Sequence, residues 1–274
     1  MKILSFTLLV AVLLIMGSCG SYKIALNDPV WNDNVPYAVE GRMQTVIQKK
    51  PLRFAEFQTT MVKTSWRKTT RQYEDIGGFV TGQYNKLAAV LYEQSNSSRR
   101  FILTNNKGQE AKVLTFDKVR ASNYLLGNKV EINLDYLLRT LGLDRRQTEN
   151  SYYVQVFGPG GERPWELLLD NDAIELNPKN YAGYFALDPD HYYTIRPVNK
   201  LMGKNGPSSF PVGHVGYEVT NASGHAVAAV SLLGKTSVYL ADDMEPDERF
   251  LMADLCAALL LHEPGSDFDR GINN

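Results

Sequence analysis

The sequence has few cysteines, few histidines and no excess of charge of either sign. Its 274 residues include 2 cysteines and 4 histidines, and 29 basic side chains face 30 acidic ones. With so few thiols, stability must come from an ordinary apolar core and not from a disulfide framework. The balanced charge gives no basic face of the kind that nucleic-acid binding requires, so we expect no nucleic-acid partner. An apolar content of 44% is typical of a globular protein.

The first 18 residues have the layout of an export signal. Met1 and Lys2 form a short charged start, residues 3–16 are largely apolar, and the small residues Gly17 and Ser18 follow. An apolar run of about 14 residues rises about 21 Å as a helix, which is less than the roughly 30 Å of a bilayer's hydrocarbon core. The pattern therefore predicts a signal peptide that is cleaved, and not a membrane span.

Residues 16–20 read Met-Gly-Ser-Cys-Gly. This run resembles the lipobox of bacterial lipoproteins, in which a cysteine after small and apolar residues becomes acylated and N-terminal. The resemblance implies two or three acyl chains on Cys19, enough for stable anchoring because one chain alone binds a membrane only weakly. The alternative is an ordinary secretory signal with an unmodified Cys19. If Cys19 is acylated, Cys256 is the only remaining thiol and no intrachain disulfide can form.

The residues after Cys19 bear on where the chain is anchored. Gly20 and Ser21 lack the aspartate that is associated with inner-membrane retention of lipoproteins, which favours the outer membrane of a bacterial envelope. The acidic run that follows the cysteine in some surface-exposed lipoproteins is also missing, which favours a periplasm-facing position. Residues 19–36 are polar and show no sustained period, which predicts a flexible tether that lets the folded part stand off the bilayer. The remainder, 37–274, contains no repeat or linker and is predicted to be a single domain.

From Tyr37 onwards the dominant signal is strand. Short runs rich in Val, Thr and aromatic residues alternate with turn sequences, as expected for an antiparallel barrel or sandwich. The predicted hairpins pair 101–103 with 113–116, 152–157 with 165–169, 184–187 with 192–195 and 217–220 with 226–233, and a further strand covers 237–241. Leucines at helical spacing within 133–146 predict one short inserted helix.

The C-terminal part contains a segment that is apolar on nearly every face. A proline and acidic residues begin it, and a predicted helix over about 247–262 follows. A helix that is apolar all round must be enclosed, and this one is too short to cross a membrane. We therefore predict a mainly β fold, an antiparallel closed barrel around a buried C-terminal helix. The predicted core positions of that helix are Leu251, Leu255, Cys256, Leu259 and Leu260.

The same region resembles a known superfamily. Residues 216–228, the strand 236–240 and the helix 250–261 are similar to the C-terminal part of the tubby-like superfamily, which includes tubby, the LURP-one-related proteins and the phospholipid scramblases. The resemblance implies a closed twelve-stranded barrel around a hydrophobic helix. The clear likeness covers roughly the last 60 residues, with a weaker echo in 41–68. No basic cluster matches the phosphoinositide site of tubby, and the helix within 133–146 has the character of an insertion.

No motif points to catalysis, a cofactor or a metal. The histidines lack metal-ligand spacing, and Cys256 lies in the apolar helix, where burial suppresses thiol reactivity. We therefore predict no catalytic, cofactor-binding or metal-binding residue and no enzyme activity. A group of tyrosines has two readings, cross-strand packing or an exposed patch for a glycan, peptide or lipid. The group comprises Tyr152, Tyr153, Tyr181, Tyr184, Tyr192 and Tyr193.

Three functional hypotheses follow. The leading one is a lipid-anchored, non-enzymatic binding or scaffold module whose partner in the envelope is a protein or a lipid. The second is a lipid-binding or lipid-handling protein of the scramblase-like type. The third is a hydrolase whose site forms only in three dimensions, for instance through His191 or His214 with a nearby aspartate.

Overall fold

The structure is a computed structural model, and it describes only part of the chain. The described residues are 23–28, 31, 34–42, 50–65, 69–70, 94–95, 97–119, 150–161, 163–203, 205–210, 213–234 and 236–262. The predicted lipidation site Cys19, the signal peptide 1–18 and the inserted helix within 133–146 lie outside the described residues.

One twelve-stranded antiparallel sheet forms the body of the protein. Its strands, in their order around the sheet, are β2 (Tyr37–Ala38), β17 (Ser237–Leu240), β16 (Ala226–Ser231), β15 (Gly216–Thr220), β12 (Tyr192–Val198), β11 (Gly183–Ala186), β10 (Trp165–Asp170), β9 (Ser151–Phe157), β8 (Glu110–Val119), β7 (Ser97–Asn105), β4 (Phe57–Ser65) and β3 (Arg53–Phe54). The four predicted hairpins are confirmed as the pairs β7–β8, β9–β10, β11–β12 and β15–β16.

The two edge strands of this sheet meet and nearly close it into a barrel. Glu40, just after β2, bridges to Arg53 of β3 through two backbone hydrogen bonds of 2.9 and 3.0 Å. Gly41 follows at a φ of +73°, and a Cβ there would collide with the carbonyl oxygen of Pro51. Closure therefore depends on a residue without a side chain, and it removes the unpaired edges that an open sheet exposes.

A helix, α2 (Pro246–Leu261), fills the barrel. Pro246 occupies a first-turn position where its missing N–H costs no hydrogen bond, and Asp247 and Glu248 suit the positive end of the helix dipole. Every residue from Met252 to Leu261 is buried. The predicted fold class, a mainly β barrel with a buried C-terminal helix, is confirmed.

Strand alternation supplies the apolar interior around α2, because every second side chain of a strand points to the same face. Four of the predicted helix positions, Leu255, Cys256, Leu259 and Leu260, are buried, and Leu251 is half-buried. The wall residues in the same cluster include Phe101, Leu103, Val113, Val154, Val156, Leu167, Phe185, Ile195, Val219, Val230 and Val238.

The two ends of the barrel differ. Since the strands alternate in direction, connections fall alternately at the two ends. At the end where α2 begins, called here the turn end, the connections are the short turns 55–56, 106–109, 158–164, 187–191 and 221–225. At the end where α2 finishes, called here the exit end, the connections that the structure mostly describes are 171–182, 199–215 and the turn 232–236.

Several smaller elements belong to exit-end connections. The helix α1 (Asn171–Leu176) follows β10 and was not predicted. Its N-cap is Asp170, whose carboxylate accepts a hydrogen bond from the amide of Ala173 at 3.0 Å. Between β12 and β15 the chain forms a hairpin of β13 (Lys200–Gly203) and β14 (Gly206–Ser209), which pairs with β1 (Lys23–Ile24). A two-stranded pair, β5 (Thr69–Thr70) with β6 (Gln94–Ser95), lies within 66–96.

The N-terminal segment, defined as residues 23–28 and 31, lies against the outer wall of the barrel. Ile24 and Trp31 are buried there in an apolar cluster. The ring of Trp31 meets that of Tyr239 edge-on, with centroids 5.8 Å apart. The amide of Ala25 donates to the carbonyl of Lys200 at 2.9 Å, which extends the pairing of β1 with β13.

A buried carboxylate holds this segment. Glu218 of β15 is 3% exposed. It accepts hydrogen bonds from the Asn27 side-chain amide at 2.8 Å, from the backbone amides of Asn27 and Asp28 at 3.1 Å, and from the indole N–H of Trp31 at 3.2 Å. Several donors on one carboxylate offset the cost of removing it from water.

The prediction that 19–36 is a flexible tether is therefore wrong for residues 23–28 and 31. The polar asparagines and aspartates of this run suggested solvent exposure. Their backbone and side-chain donors instead bind a carboxylate that lies almost 200 residues away in sequence, at separations of 187 to 191, and no local pattern reveals such a partner.

Candidate functional site

Polar side chains enter the barrel interior at the exit end. Strand alternation places Arg99 of β7, Asp117 of β8, Tyr152 of β9 and Tyr217 of β15 among the buried residues at the end of their strands nearest to the finish of α2. His262, the C-cap of α2, is 2% exposed and lies among them. The rest of the wall contributes mainly apolar side chains, so this exit-end cluster is the candidate functional site.

His262 is the centre of the exit-end cluster. Its ring stacks on Tyr152 with centroids 3.9 Å apart and planes at 19°. Its Nε2 lies 4.0 Å from Oδ1 of Asp117, beyond hydrogen-bond distance. Burial, followed by the nearby His214 and Arg99, lowers the pKa of His262 to about 3. The imidazole is therefore neutral at physiological pH and does not form an ion pair there.

Arg42 closes the cluster at the end of α2. Its Nε donates to the carbonyl of Leu260 at 3.1 Å, and its Nη1 donates to the carbonyl of Leu232 at 2.9 Å. The last carbonyls of a helix have no partner within the helix and carry partial negative charge. The guanidinium of Arg42 therefore supplies both a hydrogen-bond donor and a compensating positive charge. Arg42 thereby connects the chain after β2, the turn after β16 and the central helix.

His214 joins the cluster beside Tyr217, with ring centroids 4.7 Å apart. Burial lowers the pKa of His214 to about 4. Among the described residues, the hydroxyl of Tyr217, Nε2 of His214 and both ring nitrogens of His262 have no hydrogen-bond partner. Buried polar groups are nearly always paired, so this concentration is unusual for a wholly structural interior.

Asp254 is a second unusual feature, in the middle of α2. It is 1% exposed, and neither carboxylate oxygen has a hydrogen-bond partner among the described residues. Burial raises its pKa well above the usual range, which favours the protonated carboxyl. Asp254 is the one acidic residue within the apolar run 250–261, so its burial could have been predicted from the sequence.

Replacing Asp254 with asparagine is expected to change how stability depends on pH. In the unfolded chain an aspartate loses its proton near pH 4, whereas burial favours the protonated carboxyl of Asp254 in the folded protein, so the contribution of Asp254 to wild-type stability falls as pH rises above about 4. The free energy of unfolding of Asp254→Asn relative to wild type should therefore rise by about 1.4 kcal/mol per pH unit above pH 4. Urea denaturation at pH 4.5, 5.5 and 6.5 measures the difference.

Asp190→Asn is the matched control, because Asp190 is an exposed turn carboxylate. The difference in free energy of unfolding between Asp190→Asn and wild type should not change between pH 4.5 and 6.5. A flat difference for Asp254→Asn as well would mean that Asp254 is ionised in the folded protein.

Of the histidines proposed for a hydrolase site, His191 lies beside an aspartate. His191 is exposed, and its Nδ1 lies 2.8 Å from Asp188 within the turn between β11 and β12, where Asp188 also accepts from the His191 amide. No described carboxylate is paired with the side chain of His214. In the part of the chain that the structure describes, no histidine side chain is hydrogen-bonded to a serine, threonine or cysteine, and no three metal-ligating side chains are grouped. Burial and then Asp254 raise the pKa of the Cys256 thiol.

The tyrosines that sequence analysis singled out are not an exposed patch. Tyr152, Tyr153 and Tyr181 are buried, and the other three, Tyr184, Tyr192 and Tyr193, are half-buried. Cross-strand contacts account for them, for example Tyr184 against Tyr192 with centroids 6.0 Å apart. The hydroxyl of Tyr193 donates to Glu248 at 2.9 Å, which connects the wall to the first turn of α2.

Comparison with known proteins returns no relative. No family model, no curated protein and no solved structure matches the chain. Within the described residues, no helix has both the length and the apolar character needed to cross a membrane.

Proposed function

We propose that the chain is an exported bacterial lipoprotein, acylated on Cys19, whose barrel is a non-enzymatic binding module of the cell envelope. The export signal and the lipobox-like run at 16–20 support the anchor. The twelve-stranded barrel around an apolar helix is the architecture that a tubby-like protein would have, which supports a distant relationship to that superfamily. The residues after Cys19 favour the outer membrane, with the barrel facing the periplasm.

The distribution of connections carries the proposal of a binding role. Among the described residues, the connections at the turn end are short turns, whereas at the exit end the connections 171–182 and 199–215 contain the helix α1 and the hairpin of β13 and β14. Recognition surfaces in proteins are commonly built from loops that a rigid scaffold holds at one end. The exit end is therefore the proposed binding surface, and its partner is a protein or lipid of the envelope.

The exit-end cluster favours a second candidate function, the binding of a lipid by the barrel itself. Within the cluster, the hydroxyl of Tyr217 and the ring nitrogens of His262 have no hydrogen-bond partner among the described residues, and the same holds for the carboxyl of Asp254 in the middle of α2. A lipid with a polar head group could supply the missing partners.

Changing Cys19 to alanine tests the anchor and both candidates. Native mass spectrometry of detergent-extracted full-length protein should show a mature chain beginning at Cys19 with two or three acyl chains. Cys19→Ala should lose the acyl mass and leave the membrane fraction or remain unprocessed, because the acyl chains supply the anchoring free energy.

The same spectra separate the alternatives. An acylated chain without other bound mass supports a module for a protein partner, whereas a co-purified lipid that survives in the Cys19→Ala form supports lipid binding by the barrel. A wild-type chain cleaved elsewhere and without acyl mass would contradict the lipoprotein proposal.

A further inference from the structure

The docked N-terminal segment limits how far the barrel can lie from Cys19. The segment is bound to the barrel wall from Lys23 onwards through β1 and the Glu218 hydrogen bonds. Four residues of chain separate the Cα atoms of Cys19 and Lys23, and an extended chain spans at most about 3.3–3.6 Å per residue. An acylated Cys19 would therefore hold Lys23 within about 14 Å of the point of anchoring.

The element next to Lys23 is the hairpin of β13 and β14. Lys23 pairs with Met202, and Met202 pairs with Pro207 on the other strand of the hairpin. The hairpin belongs to the connection 199–215, so it lies at the exit end of the barrel. The point of anchoring and the exit end are therefore on the same side of the molecule.

One face of this small sheet packs on the barrel and the other faces outward. Ile24 is buried and Leu201 is half-buried against the wall cluster. Because side chains alternate along a strand, Lys23, Lys200 and Met202 lie on the opposite, outward face. All three are exposed, Met202 at 39%.

The chemistry of the outward face suits a lipid surface. It presents two ammonium groups beside an apolar side chain, with Pro207 and Ser209 as their cross-strand neighbours and no carboxylate among the paired positions. Lysines can reach lipid phosphates while their methylenes and an adjacent methionine lie at the level of the head groups. Anionic lipids attract such basic groups next to a membrane anchor.

We propose that the outward face of the β13–β14 hairpin, with Lys23, is a second, non-covalent membrane contact that turns the exit end of the barrel towards the bilayer. This inference rests on the proposed acylation of Cys19. The occupant of the face is the anionic surface of the membrane that holds the acyl chains. The turn end then points away from the membrane, and the exit-end connections meet partners at the bilayer surface.

A fluorescence experiment on the acylated chain tests the orientation. Met202→Cys is labelled with an environment-sensitive dye, since Cys19 is acylated and Cys256 is buried. The protein is reconstituted in phosphatidylethanolamine–phosphatidylglycerol vesicles that contain nitroxide-labelled lipid. The label at 202 is expected to shift to the blue and to be quenched by the nitroxide.

Val35→Cys is the matched control. Val35 is an apolar residue that is 85% exposed, and it precedes β2 at the turn end. Its label should remain in water and unquenched. Equal quenching at positions 35 and 202 would overturn the proposed orientation, and a mass spectrum of the same preparation shows independently whether Cys19 is acylated.

A second measurement separates the hairpin contact from the anchor. The mature chain with Cys19→Ala should sediment weakly with vesicles that contain phosphatidylglycerol and not with neutral ones. Adding Lys23→Gln and Lys200→Gln should weaken that partitioning about thirtyfold, since each basic group near an anionic surface contributes on the order of a factor of five.

The charge-matched control is Lys63→Gln with Lys107→Gln, which removes two exposed lysines elsewhere on the barrel. It should retain the partitioning of its parent. Equal loss in both double variants would show that only net charge matters and would refute the hairpin contact, even if Cys19 proves to be acylated.

Discussion

Leu255→Asp is expected to abolish folding of the barrel. Leu255 is fully buried in α2, inside the closed sheet. Loss of a core leucine costs about 2–5 kcal/mol, and a carboxyl group buried without a partner adds several more. Asp254 already places one unpaired carboxyl in this interior, so a second beside it exceeds what a typical stability of about 5–15 kcal/mol tolerates. Circular dichroism and size-exclusion chromatography of the variant measure the result.

Leu255→Met is the control for this experiment, because it preserves apolar volume and should cost less than about 1.5 kcal/mol. A Leu255→Asp protein that is soluble, monomeric and unfolds cooperatively would contradict the enclosure of α2. Comparing the stabilities of the two variants separates the effect of burying a charge from the effect of changing the side-chain shape.

Glu218→Ala is expected to release the N-terminal segment from the barrel. The substitution removes the acceptor for the amides of Asn27 and Asp28 and for the indole of Trp31. A hydrogen bond to a charged group contributes about 1.5–3 kcal/mol, and the substitution leaves several neutral donors without their acceptor. Hydrogen exchange of the Asn27 and Asp28 amides should accelerate by several orders of magnitude, and the fluorescence of Trp31 should shift to the red.

The matched control is Glu218→Gln, which retains the shape of the side chain and one acceptor oxygen. It should keep Trp31 buried and lose only part of the protection. Unchanged exchange in Glu218→Ala would mean that the apolar contacts of Ile24 and Trp31 hold the segment without the carboxylate.

Release of the segment has a consequence for the proposed anchor. When the segment is docked, about 14 Å of chain at most separates Cys19 from the barrel, whereas a released chain from residue 19 to Tyr37 can span about 60 Å. If Cys19 is acylated as proposed, the Glu218 hydrogen bonds would decide whether the barrel is held at the membrane surface or stands away from it. Residues 23–28 and 31, which were expected to belong to a flexible tether, are bound to the barrel wall in the folded protein.

The strand order could be predicted only in part. Hairpins such as β7–β8 were identifiable because turn residues separate two runs with strand character, and both signals are local. The short helix α1 was missed because its six residues give too few turns for a period to appear. Its N-cap, Asp170, is visible in the sequence but resembles any aspartate at the end of a strand.

The exit-end cluster could not be predicted at all. The predicted helix ends at residue 262, and sequence analysis assigned no functional role to His262 or Arg42. Arg42 meets Leu260 across 218 positions of sequence, and closure of the barrel alone brings the two together. Spacing along the sequence predicts only local contacts, whereas these residues come together when the twelve-stranded sheet closes into a barrel.

The sequence by itself determined the antiparallel hairpins and the enclosed helix, because each arises from composition and periodicity over short stretches of chain, and the same local signals predict the leader. Tertiary structure decided the docking of the N-terminal segment on Glu218, the polar cluster around His262 and the end of the barrel near which Lys23 lies. Those features depend on which buried polar groups find partners, and the partners come from distant parts of the chain that meet only in the closed barrel.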